Sequence, residues 1–118
     1  MNWYKRARTE QDRIKYNIRR LNAFKNKVSR TRELLFATQS GGHKLLSQLA
    51  EERMAKIHDD ISDRLHFLIK GENNQKVALD SPHRAGAILD EIEILVDTKI
   101  VDEQRKLESK NEWFRQFE

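Results

Sequence analysis

The chain has 118 residues and a formal net charge of +4, with 36% charged, 37% hydrophobic and 8% aromatic residues and a single proline. This length predicts one domain over residues 1–118, and the composition favours long solvated helices over a sheet protein. The absence of cysteine excludes disulfide frameworks and thiolate metal sites.

The first predicted element is a helix over residues 3–38. No Gly or Pro interrupts this segment, and its apolar positions mark one face of a helix. At 1.5 Å per residue such a helix is roughly 54 Å long, so it needs a partner of similar length. The apolar positions recur every seven residues, at Ala7, Ile14, Leu21, Val28 and Leu35.

The second predicted helix covers residues 44–70. It follows the turn Ser40-Gly41-Gly42, because glycines supply the positive φ angles with which helices end and chains reverse. A short turn between two helices predicts an antiparallel hairpin with the first helix. The apolar stripe of the second helix has spacings of three and four residues, at Leu46, Ala50, Met54, Ile57, Ile61, Leu65 and Leu68.

The third predicted helix covers residues 82–117. Asp80 or Ser81 is the expected N-cap and Pro82 the first helical residue, a favourable start for a helix. The fold class is therefore all-α: an elongated three-helix hairpin or bundle with coiled-coil-like seams. The apolar seams are longer than a monomer of this size needs for its core, so the sequence is compatible with a homo-oligomer as well as with a monomer. The stripe of the third helix comprises Ala85, Leu89, Ile92, Val96, Ile100, Leu107 and Phe114.

Positive charge is concentrated early in the chain. Residues 1–40 hold 11 Lys and Arg against 3 acids, whereas residues 41–118 hold 12 against 16. Four cations recur at heptad spacing beside the apolar stripe and form what we call the basic ridge: Arg6, Arg13, Arg20 and Lys27. Such a ridge predicts contacts with the phosphates of a nucleic acid. The candidate nucleic-acid-binding residues are Arg6, Arg13, Lys15, Arg19, Arg20, Lys27 and Arg30.

An alternative keeps the basic ridge inside the bundle. Asp90, Glu93 and Asp97 share one face of the third helix, where they are placed to pair with a basic neighbouring helix. In that case the ridge neutralises acids of the same molecule or of a protein partner. The sequence does not decide between these two arrangements, nor between DNA and RNA.

Aromatic residues form a further candidate site. Trp3 precedes the first apolar stripe, and Trp113, Phe114 and Phe117 lie in the last turns of the third helix. If these side chains are exposed, they form an apolar anchor for a protein partner or for a second copy of the chain. The other interpretation is that they cap the core of the bundle.

Catalytic and metal-binding patterns are missing from the sequence. It has no cysteine, nucleophile elbow or phosphate-binding glycine motif, so neither an enzyme nor a cofactor is predicted. Asp59, Asp63 and His66 share a helix face, but a carboxylate metal site in a bundle needs a second such element, so no metal site is predicted. Because no apolar run resembles a leader or a membrane span, we expect a cytoplasmic protein without a span.

These patterns predict a non-enzymatic helical accessory protein that binds DNA or RNA through the basic face of its first helix, largely without sequence specificity. The alternative is a structural or adaptor subunit of an oligomeric assembly, for example a viral or bacterial one, whose helices contact other proteins. Attachment to anionic membranes is disfavoured, because the first helix lacks a broad, bulky apolar face.

Overall fold

The computed structural model describes residues 2–52, 59–71, 79–80 and 82–117. Within these residues the chain is all-α, without a strand, which confirms the predicted fold class. The molecule is elongated, with principal extents of 58 × 23 × 17 Å. The described residues form the helices α1 (Asn2–Thr38), α2 (Gly42–Ala50), α3 (Asp59–Gly71) and α4 (Pro82–Arg115).

The two long helices α1 and α4 pack side by side in antiparallel orientation along the whole molecule, although α2 and α3 lie between them in the sequence. We call this pair of helices the hairpin. At one end the rings of Trp3 and Phe117 have centroids 5.5 Å apart. Further along, the Lys25 ammonium lies 2.7 Å from an Asp97 carboxylate oxygen. Near the other end, Phe36 of α1 lies against Gly86 of α4. α4 is therefore the long partner that the length of α1 requires.

The short helices α2 and α3 cover only one half of this hairpin. The buried cluster that joins all four helices takes α1 residues between Leu21 and Leu35, and α4 residues between Ala85 and Ile100. We call this four-helix part the bundle. Residues 2–20 of α1 and residues 103–117 extend beyond it as a pair of helices, which we call the stalk.

The second predicted helix, over residues 44–70, is wrong as a single element, because α2 ends at Ala50 and α3 begins at Asp59. The amide of Glu51 bonds the carbonyls of Ser47 and Gln48, and that of Glu52 bonds Leu49, a tightening that ends the helix. Two predicted members of its stripe, Met54 and Ile57, lie outside the described residues.

Salt bridges tie the segments on either side of the break to the long helices. Glu52, after α2, bonds Lys27 of α1 at 2.5 Å, whereas Arg64 of α3 bonds Glu91 of α4 at 2.5 Å. α2 also contacts α4, since Gly42 lies against Ala85. The third predicted helix also ends slightly early, because the chain turns after Arg115.

The predicted Gly-Gly turn joins α1 to α2, but the residue with positive φ directly after α1 is Gln39, at φ +59°, and not a glycine. The two glycines that follow differ from each other. Gly41 is the N-cap residue of α2 and has a left-handed backbone, with φ +76°. Gly42 is buried, and a Cβ built there collides with the carbonyl oxygen of Leu79 and lies 2.8 Å from the Cβ of Ala85. Gly41 is thus needed for its left-handed backbone conformation, whereas Gly42 is needed because a side chain there would collide with Leu79 and Ala85.

We expect Gly42→Ala to lower the free energy of unfolding by about 3 kcal/mol, because Leu79 and Ala85 must both move away. Gly41→Ala is the matched control: nothing lies within 4 Å of its added Cβ, so it costs only the left-handed strain of about 1 kcal/mol. Urea denaturation measures both values. Equal losses in the two variants would contradict the close approach at Gly42.

Candidate functional site

The stalk is held together by a narrow and partly polar seam. Ala7 and Ile14 are its buried apolar residues on α1. Between them, the buried amide of Gln11 donates a hydrogen bond of 2.6 Å to the side-chain oxygen of Asn111. Glu103 is also buried and accepts a hydrogen bond of 3.2 Å from Lys106. Polar pairs in such a seam select one register of the two helices at some cost in stability.

We expect Gln11→Leu alone to lower the free energy of unfolding by about 1–2 kcal/mol, because the Asn111 amide loses its partner. In the double variant Gln11→Leu/Asn111→Leu, most of that loss should be recovered, since apolar side chains then face each other. A double-mutant cycle of thermal melts isolates this coupling. Losses that simply add would show that the two amides act independently.

An open groove of about 710 Å³ follows one side of the stalk. Arg13 of α1 lines it opposite Lys106 and Lys110 of α4, with Glu10 and Glu103 between them. Glu10 is bonded to Lys110 at 2.5 Å, and this hydrogen bond and charge lower the pKa of the Glu10 carboxyl. The charges of Arg13 and Arg6 lower the same pKa to a lesser degree. The acids of the groove are therefore neutralised within the stalk, although Arg13 lies within ion-pair distance of no described acid.

The basic ridge lies on this side of the molecule and changes character along its length. Arg6 and Arg13, on the stalk, are exposed, and neither forms an ion pair with the described residues. Arg20, at the junction with the bundle, is half-buried, with its guanidinium 5.9 Å from the Tyr16 ring and its Nε buried without a hydrogen bond. Lys27 bonds Glu52 in the bundle. The cations of the ridge are thus exposed and without ion pairs to described residues on the stalk, whereas beside α2 Lys27 is paired with an acid.

The other candidate cations lie away from the groove. Lys15, Arg19 and Arg30 are exposed, and within the described part of the chain none of them forms an ion pair. Lys15 and Arg19 are one helical turn apart, on the stalk. In total, residues 2–20 and 103–117 contain eleven Lys and Arg against five acids, so the stalk carries the positive charge of the molecule.

The acids expected to pair with the ridge have other partners. Both nitrogens of the Arg32 guanidinium fork bond acids of α4, Asp90 and Glu93, each at 2.7 Å. Burial opposes the charge of Arg32, but the hydrogen bonds and charges of these two acids outweigh it and raise the pKa of the guanidinium. Asp97 bonds Lys25, and this hydrogen bond raises the pKa of the Lys25 ammonium. None of the three acids contacts the ridge.

Lys25 and Arg32 bind these acids, and the sequence did not predict this role for them. Each follows a member of the apolar stripe, Leu21 or Val28, by four residues. On a helix this spacing places a side chain on the same face, beside the seam with the next helix. That signal was present in the sequence, whereas the register that brings the acids of α4 opposite was not.

The aromatic residues meet at the far end of the stalk, and we call Trp3, Tyr4, Trp113, Phe114 and Phe117 the aromatic tip. Ring centroids of Trp3 and Trp113 are 5.4 Å apart, those of Tyr4 and Phe114 5.4 Å, and those of Trp113 and Phe117 4.7 Å. The tip does not belong to the buried cluster of the bundle. It closes the stalk instead, and Trp3 and Phe117 stay 49% and 56% exposed.

No protein-family model, curated protein or solved structure matches this chain. Among the described residues, no three His, Asp or Glu side chains are grouped so as to hold a metal ion; Asp59, Asp63 and His66 of α3 are all exposed. Nor does any helix in the described part of the chain have the length and apolar character needed to cross a membrane.

Proposed function

We propose that this protein is a non-catalytic nucleic-acid-binding protein whose stalk contacts the phosphates of DNA or RNA, largely without sequence specificity. The observation that carries the proposal is the distribution of ion pairs. Asp90, Glu93 and Asp97, the acids best placed to neutralise α1, bond Lys25 and Arg32 in the bundle. The exposed cations of the stalk are left to act on a ligand.

The stalk presents its cations at a spacing that suits a phosphate backbone. Arg6 and Arg13 are seven residues apart on one face of α1, which corresponds to about 10 Å along the helix. On a duplex, roughly three phosphates of one strand occupy that length, since they recur about every 3.4 Å. Each neutralised phosphate releases condensed counterions, so binding should weaken steeply as salt is added.

Independence of base sequence follows from the kind of contact. The cations concerned, Arg6, Arg13, Lys15 and Arg19, are long exposed side chains on helix surfaces. Such contacts to phosphate position a protein on a nucleic acid but carry no sequence information, which comes from groups that reach base edges in a groove. The stalk therefore favours binding by charge over recognition of a particular site.

Replacing Arg6, Arg13, Lys15 and Arg19 together with Gln should reduce the salt dependence of binding. If each cation neutralises one phosphate, the slope of log affinity against log salt falls by roughly 3 to 4. The helix should persist, because Gln is nearly as good a helix former as Arg or Lys. Fluorescence anisotropy of a labelled oligonucleotide across a salt series gives the slope, and circular dichroism checks the helix content.

A matched pair of double variants separates the stalk from overall charge. Arg13→Gln/Lys15→Gln and Lys44→Gln/Lys70→Gln remove the same charge, but Lys44 and Lys70 are exposed in the bundle. The first should lower the slope by about 1.5, and the second should hardly change it. Equal slopes for both variants would reject the stalk as the binding surface, as would a quadruple variant that binds like the wild type.

The alternative function, a structural or adaptor subunit, is favoured by exposed apolar side chains on the bundle. Ile94 of α4 is 68% exposed and Phe67 of α3 is 65% exposed. Both lie beside Arg64: its guanidinium is 5.4 Å from the Phe67 ring, and Ile94 lines a groove with it. Neighbouring apolar side chains on a surface are the feature expected of a helix-to-helix contact with a second copy.

Sedimentation velocity tests that alternative. If the bundle self-associates through this surface, Phe67→Ser/Ile94→Ser should raise the dimer Kd by at least about tenfold, because two apolar anchors are lost. Leu34→Ser/Phe36→Ser is the control, since Leu34 and Phe36 are 53% and 50% exposed on α1. A wild type that sediments as a monomer at tens of micromolar would count against the adaptor function.

A further inference from the structure

We infer that the aromatic tip is a stacking platform for unpaired nucleobases, which makes single-stranded nucleic acid the ligand of the stalk. This inference rests on the proposed function and specifies its ligand. Bases stack on aromatic side chains regardless of their identity, because every base has a π face. In a duplex those faces are covered by neighbouring bases, so only an unpaired strand offers them.

The rings of the tip contact one another mostly edge to face. Trp3 meets Tyr4 at 82° and Trp113 at 84°, and Phe114 meets Tyr4 at 85°, whereas Phe117 lies tilted at 47° to Trp3. An edge-to-face contact covers a face of only one of its two rings, whereas a parallel stack covers a face of both. The outermost rings, Trp3 and Phe117, keep about half of their surface exposed. Closing the stalk thus does not use up the surface that a base needs.

Charge at the tip complements a nucleic acid. Residues 2–8 include three cations, Lys5, Arg6 and Arg8, and no acid. The Arg8 guanidinium is 5.0 Å from the Phe114 ring and 5.8 Å from the Tyr4 ring, so a cation already lies against the aromatic cluster. Phosphates held by these cations bring the attached bases to the exposed rings. Aromatic side chains beside a basic track are the combination that single-strand-binding surfaces use.

The basic ridge of the stalk begins next to the aromatic tip, so the two form one continuous surface. Arg6, three residues after Trp3, begins the basic ridge, and Arg13 continues it along the groove seven residues later. A single strand is flexible enough to follow these cations with its backbone while one or two bases turn toward the tip. A rigid duplex, in contrast, would contact the cations only through its phosphates.

Tryptophan fluorescence reports directly on the tip, because both tryptophans of the chain, Trp3 and Trp113, lie there. The probes are a 20-nucleotide oligothymidine, an abasic strand of equal length, a duplex, and vesicles with anionic lipid. We expect quenching by oligothymidine and little quenching by the abasic strand or the duplex. At equal salt the oligothymidine should also bind about tenfold tighter than the abasic strand.

Two single variants test the rings themselves. Trp3→Leu and Phe117→Leu keep an apolar side chain but remove a π face, so each should weaken oligothymidine binding about tenfold while leaving the abasic strand unaffected. Trp3→Phe should retain most of the affinity. Phe36→Leu is the matched control, since Phe36 is 50% exposed on the bundle and should change nothing. Because the two leucine variants are separate, misfolding of one leaves the other decisive.

The outcomes separate this inference from the proposed function. Equal binding of oligothymidine and the abasic strand, with no quenching, would overturn the stacking platform and leave phosphate binding by the stalk intact. Failure to bind any of the nucleic acids would overturn both. Quenching by the anionic vesicles alone would overturn the stacking platform and assign the tip to a lipid surface instead, while the anisotropy titrations would still decide whether the stalk binds nucleic acid.

Discussion

The register of α1 against α4 is the constraint on which the rest of the structure depends. It is set by the Arg32 fork on Asp90 and Glu93, and by the Gln11 and Asn111 amides in the seam. Such partly exposed pairs each contribute little stability. Their role is to select the register, because a shift of one helical turn would break all of them at once and leave the buried amide of Gln11 without its partner.

The lengths of the helices decide which part of that hairpin is covered. α1 and α4 have 37 and 34 residues, whereas α2 and α3 have 9 and 13. The short helices extend about 14 and 20 Å, so they cannot cover two rods of over 50 Å. The uncovered part becomes the stalk, where two helices pair through a single seam and most of the helix surface contacts water.

Charge follows the same division. In the bundle, cations such as Lys25, Lys27 and Arg64 form ion pairs with acids of neighbouring segments. Along the stalk the acids are fewer, and Glu10 is already bonded to Lys110. Cations of the bundle therefore have acidic partners within the molecule, whereas most cations of the stalk do not. For this reason a chain of modest net charge has one strongly basic end. A polyanion is the ligand that such an end favours.

Local sequence patterns determined the all-α class, both long helices and the Gly-Gly turn, because heptad stripes and glycines act through nearest neighbours on one helix. The break after Ala50 was not predicted, since Glu51 and Glu52 are good helix formers and no Gly or Pro lies between residues 43 and 70. Likewise, composition identified an excess of cations, but not which ones are free. Only tertiary structure decided that Lys25 and Arg32 take the acids while Arg6 and Arg13 stay open, because ion pairing depends on the register between residues some sixty positions apart in the chain.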